Sequence, residues 1–190
     1  MDVWGAVEII IIGIWVFLPA MLPNSAAVIF GGGTKMDLGK SWRGKRIFGD
    51  GKTWRGFFGG AFSGILLGLI MLGVSHFFDT KGHWGYGSLE QGIGIVIALS
   101  FGAVLGDLIG AFIKRRMGLE RGEKAPILDQ YDFVVGALLL TALFYPNWIY
   151  NTYIEGWNLL ALIFLLVIMF GLHRIVNIIG YRAGLKDEPW

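Results

Sequence analysis

Five apolar stretches, each long enough to cross a lipid bilayer, constrain this 190-residue chain more than any other feature of its sequence. They lie near Val3–Phe30, Phe57–Phe78, Gly92–Ile113, Phe133–Tyr150 and Trp157–Ile179. A hydrocarbon core about 30 Å thick is spanned by roughly 20 mostly apolar residues in a helix, whose backbone groups satisfy one another. With 55% hydrophobic and only 16% charged residues, the chain has too little polar surface to cover a soluble core of this size. The expected fold class is an all-α integral membrane protein with five transmembrane helices, forming one domain over residues 1–190. The first stretch has no basic residue ahead of it and so lacks the start of a cleaved signal peptide. Pro19 and Pro23 interrupt it, which predicts a kink or break that leaves Asn24 and Ser25 on exposed backbone.

Basic residues orient the bundle. Lys35, Lys40, Arg43, Lys45, Arg46, Lys52 and Arg55 lie in the 31–56 connection. Lys114, Arg115, Arg116, Arg121 and Lys124 lie in the 114–128 connection, and Arg174, Arg182 and Lys186 near the C-terminus. In a five-span arrangement these fifteen of the sixteen basic residues share one face, with only Lys81 opposite. The positive-inside rule then predicts an outer N-terminus, a cytoplasmic C-terminus and two cytoplasmic loops that form the polar face of a cell-membrane protein. Trp4, Trp84, Tyr86, Trp148, Tyr153 and Trp157 fall at the expected outer boundary, as an interfacial belt does.

Acidic residues within or beside the spans point to chemistry. Glu8 is near an outer end and can reach water. Asp107 precedes Lys114 by seven residues, about 10 Å along a helix, so it lies below the inner boundary. Asp129 and Asp132 stand three apart at the start of the fourth span, on one helical face. Structural pairings (Asp107 with Lys114 or Arg115, Asp129 as an N-cap) are one reading. Three carboxylates at one depth also suit a hard cation, since Mg²⁺ takes carboxylates, waters and substrate phosphates as ligands. The absence of cysteine excludes thiolate catalysis and sulfur-bound zinc. His76, His83 and His173 are too dispersed for a histidine site.

Between the first two spans, the stretch 39–56 alternates glycines with basic and aromatic residues. Glycines let backbone N–H groups turn toward an anion while Lys and Arg add full charges, a combination suited to polyphosphate. Gly51-Lys52-Thr53 ends like a Walker A loop, but Arg46 stands where that motif needs glycine and no strand is expected before it. Retention of the loop by anionic headgroups explains its charge but not its glycines. Gly60, Gly64 and Gly68, and likewise Gly102, Gly106 and Gly110, form small-residue stripes that predict close helix packing. There is no internal repeat, so an inverted-repeat transporter gains little support. A small cation transporter would spread its acids through the membrane rather than gather them at one depth.

The run Gly106-Asp107-Leu108, then Lys114-Arg115, then Gly118-Leu119, followed by Asp129 and Asp132, resembles the signature region of CDP-diacylglycerol synthases. Ala111 and Gln130 stand where the bacterial pattern has serine and arginine, and Glu120-Arg121 where it has Lys-Asp. The segment 49–56 (Gly-Asp-Gly-Lys-Thr-Trp-Arg-Gly), with Pro23-Asn24-Ser25 and Asp37 before it, is more similar to the archaeal branch, CDP-archaeol synthase. The resemblance implies a nucleotidyltransferase that moves CMP from CTP to an isoprenoid glycerol-ether phosphate, 2,3-bis-O-geranylgeranylglycerol 1-phosphate, releasing pyrophosphate. It implies one or two Mg²⁺ ions on Asp107, Asp129 and Asp132, with Lys114 beside them. It implies substrate contacts from Asn24, Ser25, Asp37, Lys45, Arg46, Asp50, Lys52, Thr53, Arg55 and Arg115. The partners are CTP and a membrane lipid phosphate, with no nucleic acid. Another Mg²⁺-dependent nucleotidyl- or phosphotransferase acting on lipid phosphates would use the same residues.

Overall fold

Apolar length decides the first-order architecture. The structure, a computed structural model, describes residues 2–79, 84–120 and 122–185. Lys81, His83, Arg121 and Lys186 lie outside the described residues, as does the His173 side chain. In chain order the helices are α1 (Val3–Ile29), α2 (Trp54–Phe78), α3 (Leu89–Met117), α4 (Pro126–Phe144), the short α5 (Pro146–Tyr153) and α6 (Leu159–Arg182). A 3₁₀ turn, Gly156–Asn158, leads into α6. α1, α2, α3, α4 and the segment Gly156–Arg182 are long and apolar enough to cross a membrane.

Two expectations about the spans need correction. α1 runs unbroken through Pro19 and Pro23, both buried, and Asn24 and Ser25 are half-buried helical residues. Pro23 has no N–H to give the Pro19 carbonyl. That carbonyl instead accepts from the Ser100 hydroxyl of α3 at 3.4 Å, so a neighbouring helix compensates for the missing bond. The fourth span, expected to reach Tyr150, ends at Phe144. Pro146 there occupies the first position of α5, where its missing N–H costs nothing.

Glycine lets the helices approach. Without the hydrophobic effect to drive association in lipid, close van der Waals contact has to hold the bundle. A methyl at Gly60 or Gly64 would strike the Pro23 or Pro19 carbonyl of α1, and one at Gly68 the side chain of Val96. A methyl at Gly102 would lie 2.7 Å from the Ala137 Cα of α4, and Gly106 is equally close to the α4 backbone. Both stripes are packing surfaces, as their spacing predicts.

The expected outer aromatic belt is only partly one. Trp4 and Trp157 are exposed, but Tyr86, Trp148 and Tyr153 are buried. Trp148 stacks on Tyr86 and meets Tyr153 edge-on, the Tyr153 hydroxyl donates to Gly13 O, and Trp15 Nε1 donates to Trp84 O. Turned inward, these rings plug one end of the bundle, where Tyr153 keeps a polar contact and the buried Tyr86 hydroxyl has no hydrogen-bond partner among the described residues.

Candidate active site at the charged end of the bundle

The opposite end carries the charge. Lys35 and Thr53 form an antiparallel bridge, Met36 N–H donates to Lys52 O and Trp54 N–H to Thr34 O, so the 34–54 loop is closed at its base. Within it, β1 (Ser41–Trp42) and β2 (Lys45–Arg46) pair as a hairpin. Arg43 and Gly44 both have positive φ at its tip, the geometry a two-residue hairpin turn demands. Arg116 staples this hairpin to α3: its guanidinium donates to the carbonyls of Trp42, Lys45 and Arg46, while Trp42 stacks on Phe112. Arg116 entered the sequence reading only as charge. Its position four residues after Phe112, on the same helical face, is the signal that could have placed it.

Two of the loop glycines, Gly39 and Gly49, turn their N–H groups to an anion within the chain. The N–H groups of Gly39, Phe48 and Gly49 donate to the carboxylate of Asp37, which also accepts from Arg46 Nε and Nη2. The Asp37 side chain is fully buried. Burial alone would raise its pKa, but Arg46 and the three backbone donors outweigh that and hold the carboxyl far below its ordinary range. Asp50 is held below the usual range by Lys35 and then Arg46. Because the folded value of Asp37 is depressed, its stabilisation is complete above the unfolded value near 3.8 and is lost only in strong acid. Asp37→Asn leaves Arg46 with Asp50 alone and weakens the acceptor shared by three backbone N–H groups, so the loop should open more readily. Hydrogen exchange at Phe48 and Gly49 should speed up by tenfold or more; unchanged protection would contradict the organising role given to Asp37.

Beneath the loop lies a cavity of about 260 Å³, lined in part by Asn24, Lys52, Thr53, Asp107, Lys114, Asp129, Asp132 and Asn177. It gathers Asn24, Lys52, Thr53 and Lys114 together with all three aspartates. Ser25, Asp37, Lys45, Arg46, Asp50, Arg55 and Arg115 lie off its wall. Of these, Lys45, Arg46, Asp50 and Arg115 line a second cavity next to it, and Arg55 is exposed over Gly33. Sequence reasoning missed Asn177, a buried amide in the C-terminal half of α6. It missed Glu123 as well, which lies in the short α3–α4 connection.

The aspartates pair across elements rather than with the neighbours expected for them. Lys52 Nζ donates to Asp107 Oδ2 at 2.5 Å, and Lys114 Nζ to Asp129 Oδ1 at 2.7 Å. Asp129 Oδ2 accepts from the N–H of Ala125, so the N-cap position belongs to Ala125 and Asp129 reaches back to it from the first turn. Asp132 Oδ1 accepts from Phe133 N–H and lies within electrostatic reach of Asp107, Lys52 and Lys114. Among the described residues, no three acids or histidines converge closely enough to hold a metal by themselves. The donors still suit Mg²⁺: they are hard oxygens on one cavity wall, and that ion usually takes one or two carboxylates plus waters and substrate phosphates.

Apolar helices closing around a cavity of carboxylates and amines define a multi-pass membrane protein with a charged cavity at one end. The family model described as CarS-like, CDP-archaeol synthase, matches residues 6–190. The CDP-archaeol synthase of Methanoculleus marisnigri is 47% identical over 174 residues, covering 91% of this chain and 99% of that one. The CDP-archaeol synthase of Pyrococcus abyssi is 45% identical over 177 residues, with coverages of 93% and 95%. A solved structure of an intramembrane enzyme for archaeal membrane lipid biosynthesis superposes with a TM-score of 0.65 at 30% identity, over 89% of this chain and 94% of the other. The chain belongs to the CDP-archaeol synthase family.

Proposed function

We propose that this protein is a membrane cytidylyltransferase that transfers CMP from CTP to an isoprenoid glycerol-ether phosphate, giving a CDP-activated lipid and pyrophosphate. The observation that carries the reading is the shared wall of Asp107, Asp129, Asp132, Lys52 and Lys114 around one cavity, in a chain of this family. The lipid phosphate oxygen forms a bond to the α-phosphorus of CTP, and the bond from that phosphorus to the bridging oxygen breaks, releasing pyrophosphate. A phosphate monoester is largely ionised at pH 7, so the attacking oxygen needs no base. Asp107, Asp129 and Asp132 would hold one or two Mg²⁺ ions, which supply charge neutralisation where the two phosphates meet.

Lys52 and Lys114 have two settings in this scheme. With no substrate they neutralise Asp107 and Asp129; with substrate their amines would turn to the phosphates, and each carboxylate would then be available to hold the cation. Thr53 caps the start of α2 at the cavity edge by accepting from Gly56 N–H, which aims the positive end of that helix at the same space. The positive-inside rule puts this end of the bundle at the cytoplasm, where CTP is made, and the lipid arrives from the surrounding leaflet.

A donor-by-acceptor assay tests the reading. Purified protein in detergent or vesicles with Mg²⁺ should release pyrophosphate from CTP only when an ether-linked lipid phosphate is supplied. Equal turnover of ATP, UTP and CTP, or none with any lipid phosphate, would overturn it.

A further inference from the structure

The β1–β2 hairpin carries charges that neither the cavities nor the fold employ. Lys35, Arg46 and Asp50 bind one another, and Arg46 also holds Asp37. Lys45 leans back toward α3, its Nζ 2.8 Å from where a methyl on Gly118 would stand. Lys40 and Arg43 are different. Both are exposed, neither lines either of the two cavities, and neither has an ion-pair partner among the described residues. Between them in the chain stands Trp42, still 48% exposed although it stacks on Phe112, with the Arg43 guanidinium 5.1 Å from its ring centre.

Phe112 sets the height of that ring. It precedes by two residues the run Lys114, Arg115 and Arg116 that ends α3, so it lies where this helix leaves the hydrocarbon. Ile109 and Ile113 beside it are exposed, as is Met117 at the helix end. In a membrane span, exposed apolar side chains are the ones that meet lipid. Trp42 therefore rests against the lipid-facing flank of α3 at interfacial depth, where amphipathic rings settle. In bulk water this half-exposed ring and both cations would face solvent alone. At the bilayer surface the ring meets the acyl boundary while the cations reach headgroup phosphates.

We propose that the hairpin docks through Lys40, Trp42 and Arg43 on the anionic phospholipid headgroups around the bundle, and that this contact holds the 34–54 loop over the aspartate-lined cavity. The charge is complementary, and the ring on a lipid-facing helix fits a layer of headgroups above acyl chains. A soluble phosphate would find two exposed cations and no enclosing wall. The path from hairpin to cavity is short. β2 ends in Arg46, which grips Asp37 and Asp50, and Asp50 is two residues from Lys52 on the cavity wall. Such docking concerns the loop and its membrane, and holds whichever nucleotide or acceptor the cavity takes.

Hydrogen exchange over residues 41–47 reads the contact without turnover. The whole protein is placed in nanodiscs of phosphatidylcholine alone or of phosphatidylcholine mixed with phosphatidylglycerol. A cation near an anionic surface contributes about a fivefold factor, so two of them should slow exchange in the mixed discs by up to roughly 25-fold. High salt should shrink that difference. The double variant Lys40→Gln/Arg43→Asn changes two exposed side chains and should fold, since asparagine accepts the positive φ of position 43. It should exchange at one rate in both discs. Arg182→Gln removes an exposed cation from the end of α6 and should keep the wild-type difference. Equal exchange of the wild type in both discs overturns the proposal, as does a double variant that still responds to lipid charge. Loss of the response in Arg182→Gln would overturn it too, by showing a general attraction of this end of the bundle. So would equal protection by inorganic phosphate added to neutral discs, which would make the tip a soluble-anion site.

Discussion

Asp107→Asn should lower Mg²⁺-dependent pyrophosphate release by roughly 10³-fold, about 4 kcal/mol of lost transition-state stabilisation, while the protein stays folded. The substitution keeps the side-chain shape and removes its charge, so the cavity loses one of its three aspartates and the partner of Lys52. Lys52 is partly exposed and can turn its amine to water, which limits the cost to stability. The melting temperature in detergent should therefore move by only a few degrees. Asp132→Asn should act similarly, whereas Asp129→Asn should also unsettle the start of α4, because that carboxylate bonds Ala125 N–H and Lys114. Full turnover in Asp107→Asn would remove that residue from the mechanism.

Gly106→Ala should damage stability and activity together, from a methyl that touches no charge. Its Cβ would lie 2.9 Å from the Asp132 carbonyl carbon and 3.0 Å from the Gly136 Cα. Both are backbone, so neither can turn aside and the two helices must separate. Overpacking of this kind costs about 1–3 kcal/mol. Asp132 rides on the displaced turn, and a misplacement of about 1 Å can cost roughly 10²-fold in rate. Gly73→Ala is the control: a methyl there meets nothing within 4 Å. It should gain up to about 1 kcal/mol, because alanine is the better helix former. A Gly106→Ala protein with unaltered melting and turnover would show that α3 and α4 are held less closely than described.

The spans were legible in the sequence because lipid allows a helix little else than a contiguous apolar run, and glycine at every fourth position marks the contact faces directly. The gathering of Asp107, Asp129 and Asp132 followed from their depth and from the i,i+3 spacing of the last two. What escaped reading depends on partners distant in sequence. Nothing local shows that Ser100 satisfies the carbonyl freed by Pro23, or that a proline before Asn147 ends a span when two others leave α1 continuous. Tyr86, Trp148 and Tyr153 have the composition of an interfacial belt, and only their packing shows them to be a plug. The loop's glycines correctly signalled an anion nest, but composition does not say whose anion fills it. The chain supplies its own in Asp37.

The claim on which the account turns is that the aspartate-lined cavity takes a divalent cation together with the nucleotide. Binding of Mn²⁺ in place of Mg²⁺, followed by electron paramagnetic resonance with and without CTP, reads this without relying on turnover. The wild type should retain Mn²⁺ tightly only when CTP is present, and Asp107→Asn and Asp132→Asn should lose that CTP-dependent signal. Equal Mn²⁺ retention by wild type and both variants would contradict the account.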